Sequence, residues 1–194
     1  MNRLVSLLLV VIGLAAASPA RAQDVARFEY RVLATSRTST LEKEMNEAAA
    51  AGFRFAATMG GETAIGGKEA VAVMSRPTGG NPDRYEYVLL ATNRTSTMQR
   101  ELQAAAERGF EYRGQTVFES AFGGEEVVCI LERNADRRNT EVGSYKLLAT
   151  SKTSTLQKEL QQAGLDGYQV LGLTIGKTAL GGSELVAILR RAGR

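Results

Sequence analysis

Three short segments combine a cation, hydroxyl side chains and a predicted helix start, which together make an anion-binding site possible. They are Arg37, Thr38 and Ser39; Arg94, Thr95 and Ser96; and Lys152, Thr153 and Ser154. A helix N-terminus offers unpaired backbone N–H groups and the positive end of the helix dipole, both of which attract anions. We therefore predict that these turns hold a phosphate, a sulfate or an acidic sugar. The alternative is that each serine only caps its helix while the cation stays solvated.

The capping alternative has its own sequence signature. Each serine is followed three residues later by Glu or Gln, which is the spacing of a capping box. The three pairs are Ser39 with Glu42, Ser96 with Gln99, and Ser154 with Gln157. Capping explains the serine and the Glu or Gln, whereas it does not explain the recurring cation two residues earlier.

A second candidate surface consists of an apolar residue before each Gly-Gly pair, at Ile65, Phe122 and Leu180. Exposed on loop tips, these side chains would form a partner-binding patch. Alternatively, they fold back over the sheet or helix ends. The carboxylates that follow, at Glu69, Glu126 and Glu184, either bind a cation or pair with neighbouring basic residues. We predict no metal site and no cofactor.

Other chemistry is excluded by composition. The chain has no histidine, which rules out Ser-His-Asp catalysis, Cys-His catalysis and histidine-based metal sites. Its one cysteine, Cys129, occupies the position of Ala72 and Ala187 in the other copies of the repeat described next. A small buried core residue is therefore the favoured interpretation. We predict a protein that is not an enzyme.

These residues belong to a unit that occurs three times. Closely similar segments cover 33–45, 90–102 and 148–160, at spacings of 57 and then 58 residues. A fixed period indicates a copied supersecondary unit. Each unit reads strand, helix, strand, strand, and the predicted boundaries are 23–77, 84–134 and 143–191.

The predicted fold is α+β, with three tandem βαββ repeats packed as one compact domain. Each helix carries an apolar stripe suited to one face of a three-stranded sheet. Glycines at 52, 109 and 167 follow the helices, where a left-handed residue commonly ends the last turn. The last strand of each unit is almost continuously apolar, which is typical of a strand covered on both faces. An approximate threefold arrangement and three separate beads both remain open.

Residues 1–22 resemble a secretory leader. Arg3 precedes an apolar run from Leu4 to Ala17, and the small-residue pattern predicts cleavage after Ala22. An uncleaved anchor is the alternative. Without the leader, 22 basic and 21 acidic residues remain, so nucleic acid is not an expected partner. We predict a periplasmic or secreted protein with no membrane-spanning segment after leader removal.

The repeats also resemble a known family. The first strands read Phe28-Glu29-Tyr30-Arg31-Val32 and Tyr85-Glu86-Tyr87-Val88-Leu89, followed by a short helix, a Gly-aromatic step and an apolar strand ending in a basic residue. This order is similar to an uncharacterised bacterial family of short βαββ domains. The chain departs from that family by lacking Trp, by carrying three copies and by adding the Thr-Ser-Thr segment. The resemblance implies the fold and no activity.

Two function classes follow. The first is a binding or interaction module for an unknown protein partner, an anionic small molecule or a glycan. The second is a structural or assembly component of the cell envelope with no small-molecule ligand. The oligomeric state and the order of strands within each sheet stay open.

Overall fold

The computed structural model describes residues 27–63, 67–79, 83–92, 94–119, 125–137, 142–177 and 182–193. It is an α+β protein with three three-stranded antiparallel sheets and three helices, consistent with three repeated units. In the described part of the chain, no helix is long and apolar enough to cross a membrane. The expected leader and the apolar loop residues Ile65, Phe122 and Leu180 lie outside the described residues.

The elements follow one order three times. The first copy contains β1 (Phe28–Thr35), α1 (Thr38–Ala50), β2 (Arg54–Thr63) and β3 (Gly67–Pro77). The second contains β4 (Tyr85–Thr92), α2 (Thr95–Glu107), β5 (Glu111–Glu119) and β6 (Glu125–Asn134). The third contains β7 (Ser144–Thr150), α3 (Thr153–Leu165), β8 (Gln169–Lys177) and β9 (Ser183–Arg191).

The last strand of each copy lies in the middle of its sheet. The strand orders are β1-β3-β2, β4-β6-β5 and β7-β9-β8. Each middle strand pairs antiparallel with both neighbours, so its backbone is hydrogen-bonded on both sides. A register shift recurs in the second strand of each copy, between Phe55 and Ala57 in β2. This central position explains why the middle strands are the most apolar segments.

The helix starts differ from the capping box that the sequence predicts. The N-cap residues are Arg37, Arg94 and Lys152, and none of the three helices has a side-chain cap hydrogen bond. Instead, the hydroxyl of the threonine that ends the preceding strand accepts the N–H of the N-cap residue, as Thr35 does for Arg37 at 3.2 Å. Each helix therefore begins two residues earlier than the capping box predicts, and Ser39 lies exposed inside the first turn. The capping-box prediction for Ser39, Ser96 and Ser154 is wrong.

The helix ends agree with the sequence. Gly52, Gly109 and Gly167 have φ values of 85°, 86° and 83°, which is the left-handed conformation that glycine adopts without strain. A cation from the middle strand secures each end. In the first copy Arg76 donates to the carbonyl oxygen of Ala51 at 2.7 Å, and Arg133 and Arg191 make the equivalent bond.

Three clusters of buried side chains form the core. The first joins α1 and β3 to the second sheet, through Leu41, Met74, Tyr87 and Ile130 among others. The second joins α2 and β6 to the third sheet, and the third contains α3 and the third sheet alone. Consecutive copies therefore share a core. Among the described elements, the first and third copies share no substantial contact, so the threefold arrangement that the sequence left open is not found.

Equivalent positions in the three copies have equivalent surroundings. Leu41, Met98 and Leu156 are all buried, as the helical stripe predicts. Cys129 is fully buried in the second cluster, and its counterparts Ala72 and Ala187 are also fully buried. The prediction that Cys129 is a small core residue is confirmed.

Candidate functional site

The predicted anion turns lie on the surface. The side chains of Arg37, Arg94 and Lys152 are exposed, and none of them forms a hydrogen bond or ion pair within the described residues. Ser39, Ser96 and Ser154 are exposed as well, Thr38 is partly buried and Thr153 is exposed. The side chain of Thr95 lies outside the described part. Each turn thus carries a solvated cation one residue before its helix, and anion binding there stays a prediction.

The structure places a different set of polar residues where consecutive copies meet. In the first junction, Glu42 of α1 accepts the backbone N–H of Leu89 at 2.7 Å. Asn46, one turn further along α1, accepts the N–H of Tyr87 at 2.9 Å and donates to the carbonyl oxygen of the same residue at 3.0 Å. Leu89 and Tyr87 lie in β4, which is an edge strand of its sheet. Side chains of α1 therefore satisfy backbone groups that the sheet itself leaves open.

The second junction repeats this pattern. Gln99 of α2 accepts the N–H of Leu147 in β7 at 3.0 Å, and Gln103 accepts the N–H of Tyr145 at 3.0 Å. Gln103 also donates to the carbonyl oxygen of Gly143 at 3.4 Å. The Glu and Gln residues that suggested a capping box thus bind the next copy. In each helix a second polar residue, one turn later on the same face, binds the same strand.

A tyrosine hydroxyl closes each junction on the sheet side. Tyr87 accepts the backbone N–H of Phe55 at 2.8 Å, and Tyr145 accepts that of Tyr112 at 3.0 Å. Burial raises the pKa of both tyrosines, so they remain neutral hydroxyls. Each tyrosine lies in the first strand of its copy. The N–H group that it accepts lies at the register shift in the second strand of the preceding copy.

A buried carboxylate strengthens the first junction. Glu132 of β6 is 2% exposed and pairs with Arg54 at 2.8 Å and with Arg113 at 2.7 Å. The hydroxyl of Tyr87 donates to it at 2.7 Å. Burial alone would raise the pKa of Glu132, but the hydrogen bonds from Arg54 and Tyr87 and the charges of both arginines outweigh burial and lower it. Glu132 is therefore ionised at neutral pH.

A cleft of about 520 Å³ lies beside this carboxylate, and four arginines contribute to its wall. Each guanidinium already faces an acid. Arg54 and Arg113 bind Glu132, whereas Arg133 binds Glu86 and Arg137 lies 3.6 Å from Asp83. An incoming anion would have to displace these carboxylates. We therefore interpret the cleft as part of the contact between the first two copies and not as an anion-binding site.

Shape also fits across the junctions. A Cβ added to Gly114 of β5 would lie 3.1 Å from the ring of Phe55 and 3.7 Å from the methyl group of Thr58. At the second junction, a Cβ on Gly172 would lie 2.9 Å from Oε1 of Gln115. The large side chains of one copy thus press against a glycine in the next copy.

The first and third copies each carry half of such a junction. We name the first half the head surface, comprising Phe28, Tyr30, Val32, Ala57 and Met59 of β1 and β2. Tyr30 is 66% exposed and Val32 is 65% exposed, whereas Tyr87 and Tyr145, the counterparts of Tyr30, are 2% and 5% exposed. β1 is also an edge strand of its sheet.

The other half is the tail surface, comprising Gln157, Gln161, Leu165, Val170, Leu171, Leu173 and Ile175 of α3 and β8. The four apolar residues of β8 range from 39% to 63% exposed. Gln157 and Gln161 occupy the positions of Gln99 and Gln103, yet neither side chain forms a hydrogen bond within the described residues. Most of the large apolar residues exposed in the described chain lie on these two surfaces, which is unusual for a monomer.

Comparisons with known proteins identify no relative. The chain matches no family model, no curated protein and no solved structure.

Sequence reasoning missed the head and tail surfaces, although two signals were present. Helix residues at positions 42 and 46, 99 and 103, and 157 and 161 are all polar with hydrogen-bonding side chains, and the second member of each pair has no role in a capping box. β8 also carries Val170, Leu171, Leu173 and Ile175 where β5 has Tyr112, Arg113, Gln115 and Val117. Neither signal can be interpreted without knowing which faces meet.

Proposed function

We propose that the chain is a secreted or periplasmic interaction protein without enzymatic activity, which binds a protein partner through its head and tail surfaces. In this proposal the three βαββ copies form one compact row, with each helix on one face of its three-stranded sheet. The shared core clusters support the row, because each of the first two clusters joins a helix to its own sheet and to the next sheet.

One observation carries the proposed function. Repeat positions that are buried inside the row are exposed at the head surface, as Tyr30 and Val32 show against Tyr87 and Leu89. At the tail surface, Val170, Leu173 and Ile175 are exposed at positions that are partly buried in the other two copies. The side chains at these positions are aromatic or aliphatic, as in a protein core. Burying such side chains contributes about 1.5–3 kcal/mol each, so the two end surfaces offer enough free energy for specific binding.

The absence of enzymatic activity rests on the side chains available. The sequence has no histidine. Burial raises the pKa of the Cys129 thiol to about 12, so its nucleophilic thiolate does not form at neutral pH. Glu132 is held between two arginines and a tyrosine, which leaves it without a proton to donate.

The alternative is a structural or assembly component of the envelope, and the same ends would serve it. A partner-binding protein uses its ends to hold a different protein, whereas an assembly component uses them to build a larger array. The two classes therefore differ in what occupies the ends.

Affinity capture from a periplasmic extract tests whether the ends bind a partner. We would compare the wild-type protein with Val32→Lys at the head, Leu173→Lys at the tail, and Val142→Lys as the control. Val142 is 41% exposed and lies on neither surface. We expect the two end variants to lose captured proteins that wild type and control retain, with all melting temperatures alike. Equal capture by all four proteins would refute the proposal.

A further inference from the structure

The two internal junctions define a rule that can be applied to the ends. In each, two polar side chains on one helix face bind the edge of the first strand in the next copy, through Leu89 and Tyr87 in one case and Leu147 and Tyr145 in the other. A tyrosine hydroxyl of that strand then accepts an N–H from the preceding copy's sheet.

The tail surface carries the helix half of this junction without its strand. Gln157 and Gln161 are the same residue types, at the same spacing, as the pair Gln99 and Gln103 that binds β7. The register shift at Val170 corresponds to those at Phe55 and Tyr112, whose N–H groups bind tyrosine hydroxyls.

The head surface carries the strand half without its helix. Tyr30 occupies the place of Tyr87 and Tyr145, and the backbone N–H of Val32 occupies the place of the N–H groups of Leu89 and Leu147. Among the described strands β1 pairs only with β3, so within this part of the structure its other backbone edge is available to another chain.

Side-chain sizes match between the ends. Inside the row, the large Phe55 and Tyr112 lie opposite glycines, Gly114 and Gly172. At the ends, Val170 is smaller than Phe55 and Tyr112, and Ala57, which would lie opposite it, is larger than the two glycines. The summed side-chain volume is therefore similar. Leu173 would meet the same alanine on its other side, and Met59 adds further apolar area.

Charge is compatible between the two ends. The first junction places Arg54 against Glu132, and the second reverses the signs with Glu111 against Arg190 at 3.6 Å. At the ends these positions are Gln169 and Ser75, which are both neutral.

We propose that the occupant of each end is a second copy of this chain, docked head to tail. In this docking, β1 of one molecule lies on α3 and β8 of a second molecule. Gln157 accepts the N–H of Val32, and the hydroxyl of Tyr30 accepts the N–H of Val170. This inference rests on the proposed function, in which the head and tail surfaces bind protein, and it names the partner. Such an interface is heterologous, so repeated docking closes into a ring or extends into a filament.

Sedimentation velocity from micromolar to millimolar concentration tests this inference in the wild-type protein and in the variants Val32→Lys, Leu173→Lys and Val142→Lys. We expect wild type and Val142→Lys to form oligomers larger than dimers as concentration rises. In a sample of one end variant, every molecule has one intact and one altered surface, so each head-to-tail contact includes an altered surface. We therefore expect each variant to remain monomeric, with association at least tenfold weaker than in wild type.

The decisive sample is an equal mixture of the two end variants. The intact tail surface of Val32→Lys can bind the intact head surface of Leu173→Lys. The two surfaces that remain unbound in this complex both carry a substitution. We therefore expect one-to-one heterodimers and nothing larger. A wild-type protein that stays monomeric at millimolar concentration overturns the inference, and so does a mixture that behaves as the sum of its parts.

The two proposals fail separately. If the wild-type chain is monomeric but its end variants lose a captured protein, then the ends bind a different partner and only head-to-tail docking is wrong. If the end variants retain every captured protein and the chain is monomeric, both proposals are wrong. Dimers in wild type that persist in both end variants would place self-association elsewhere and also overturn the inference.

Discussion

Removing the buried charge at the first junction is expected to weaken the protein by about 2–3 kcal/mol. Breaking a fully buried ion pair costs about 3–5 kcal/mol, because a charge stays behind without its partner. In Glu132→Gln the charges left behind are Arg54 and Arg113, whose side chains are 43% and 37% exposed and can be hydrated. The cost therefore falls below the usual range. For a chain of this size it corresponds to a melting temperature lower by roughly 4–12 °C.

Urea unfolding of wild type and variant measures this difference, with Glu86→Gln as the matched control. Glu86 pairs with Arg133, but the two side chains are 45% and 39% exposed, and exposed pairs contribute about 0–1 kcal/mol. The control should therefore shift the midpoint little. A loss in Glu132→Gln no larger than in Glu86→Gln would refute the assignment of Glu132 as a junction charge.

The same pair of proteins gives a signed pH dependence. The pKa of Glu132 is lower in the folded protein than in the unfolded chain, so its stabilisation is fully present above the unfolded pKa of about 4.3. It is lost as the pH falls through the folded value. The gap between wild type and Glu132→Gln should thus be constant near neutral pH and shrink below about pH 4. A gap that persists undiminished in acid would show that shape, and not charge, is responsible.

Three further predictions concern single features. Gln115→Leu should raise the free energy of unfolding, measured in urea, by about 1–2 kcal/mol, because both amide atoms of Gln115 are buried without a hydrogen-bond partner in the described structure; a loss of stability would mean that they have one. Cys129 should not react with a thiol reagent in native protein near neutral pH, and should react once the chain is unfolded, since burial holds its pKa near 12; fast native reaction would contradict its burial. If the turns bind anions, millimolar phosphate at matched ionic strength should raise the melting temperature, and the triple variant Arg37→Gln, Arg94→Gln, Lys152→Gln should abolish that rise. A rise retained by the triple variant would exclude these turns.

Local patterns in the sequence predicted the elements well. The positive φ of Gly52, the buried stripe through Leu41 and Met45, and the core position of Cys129 each depend on contacts within a few residues or on comparison between copies. These features survive in any arrangement of the copies. The repeat itself made them readable, because three versions of each position were available.

Features that depend on contacts between copies could not be read in the same way. Glu42 has the spacing of a capping-box residue, and a helix alone would allow that role. The neighbouring strand β4 offers the N–H of Leu89 instead, and this bond ties two copies together. In the same way, Tyr30 and Tyr87 look identical in sequence, and only the position of each copy in the row decides which one is buried.

The helix of one copy covers the open backbone edge of the first strand in the next copy, and the edge of β1 is left for a second molecule of the chain. Hydrogen exchange of three equivalent backbone amides tests it most directly. In dilute protein, the amides of Leu89 and Leu147 should be protected by their bonds to α1 and α2, whereas that of Val32 should exchange freely. Raising the concentration should protect Val32 as second copies dock. Equal exchange of all three amides in dilute protein would contradict the account.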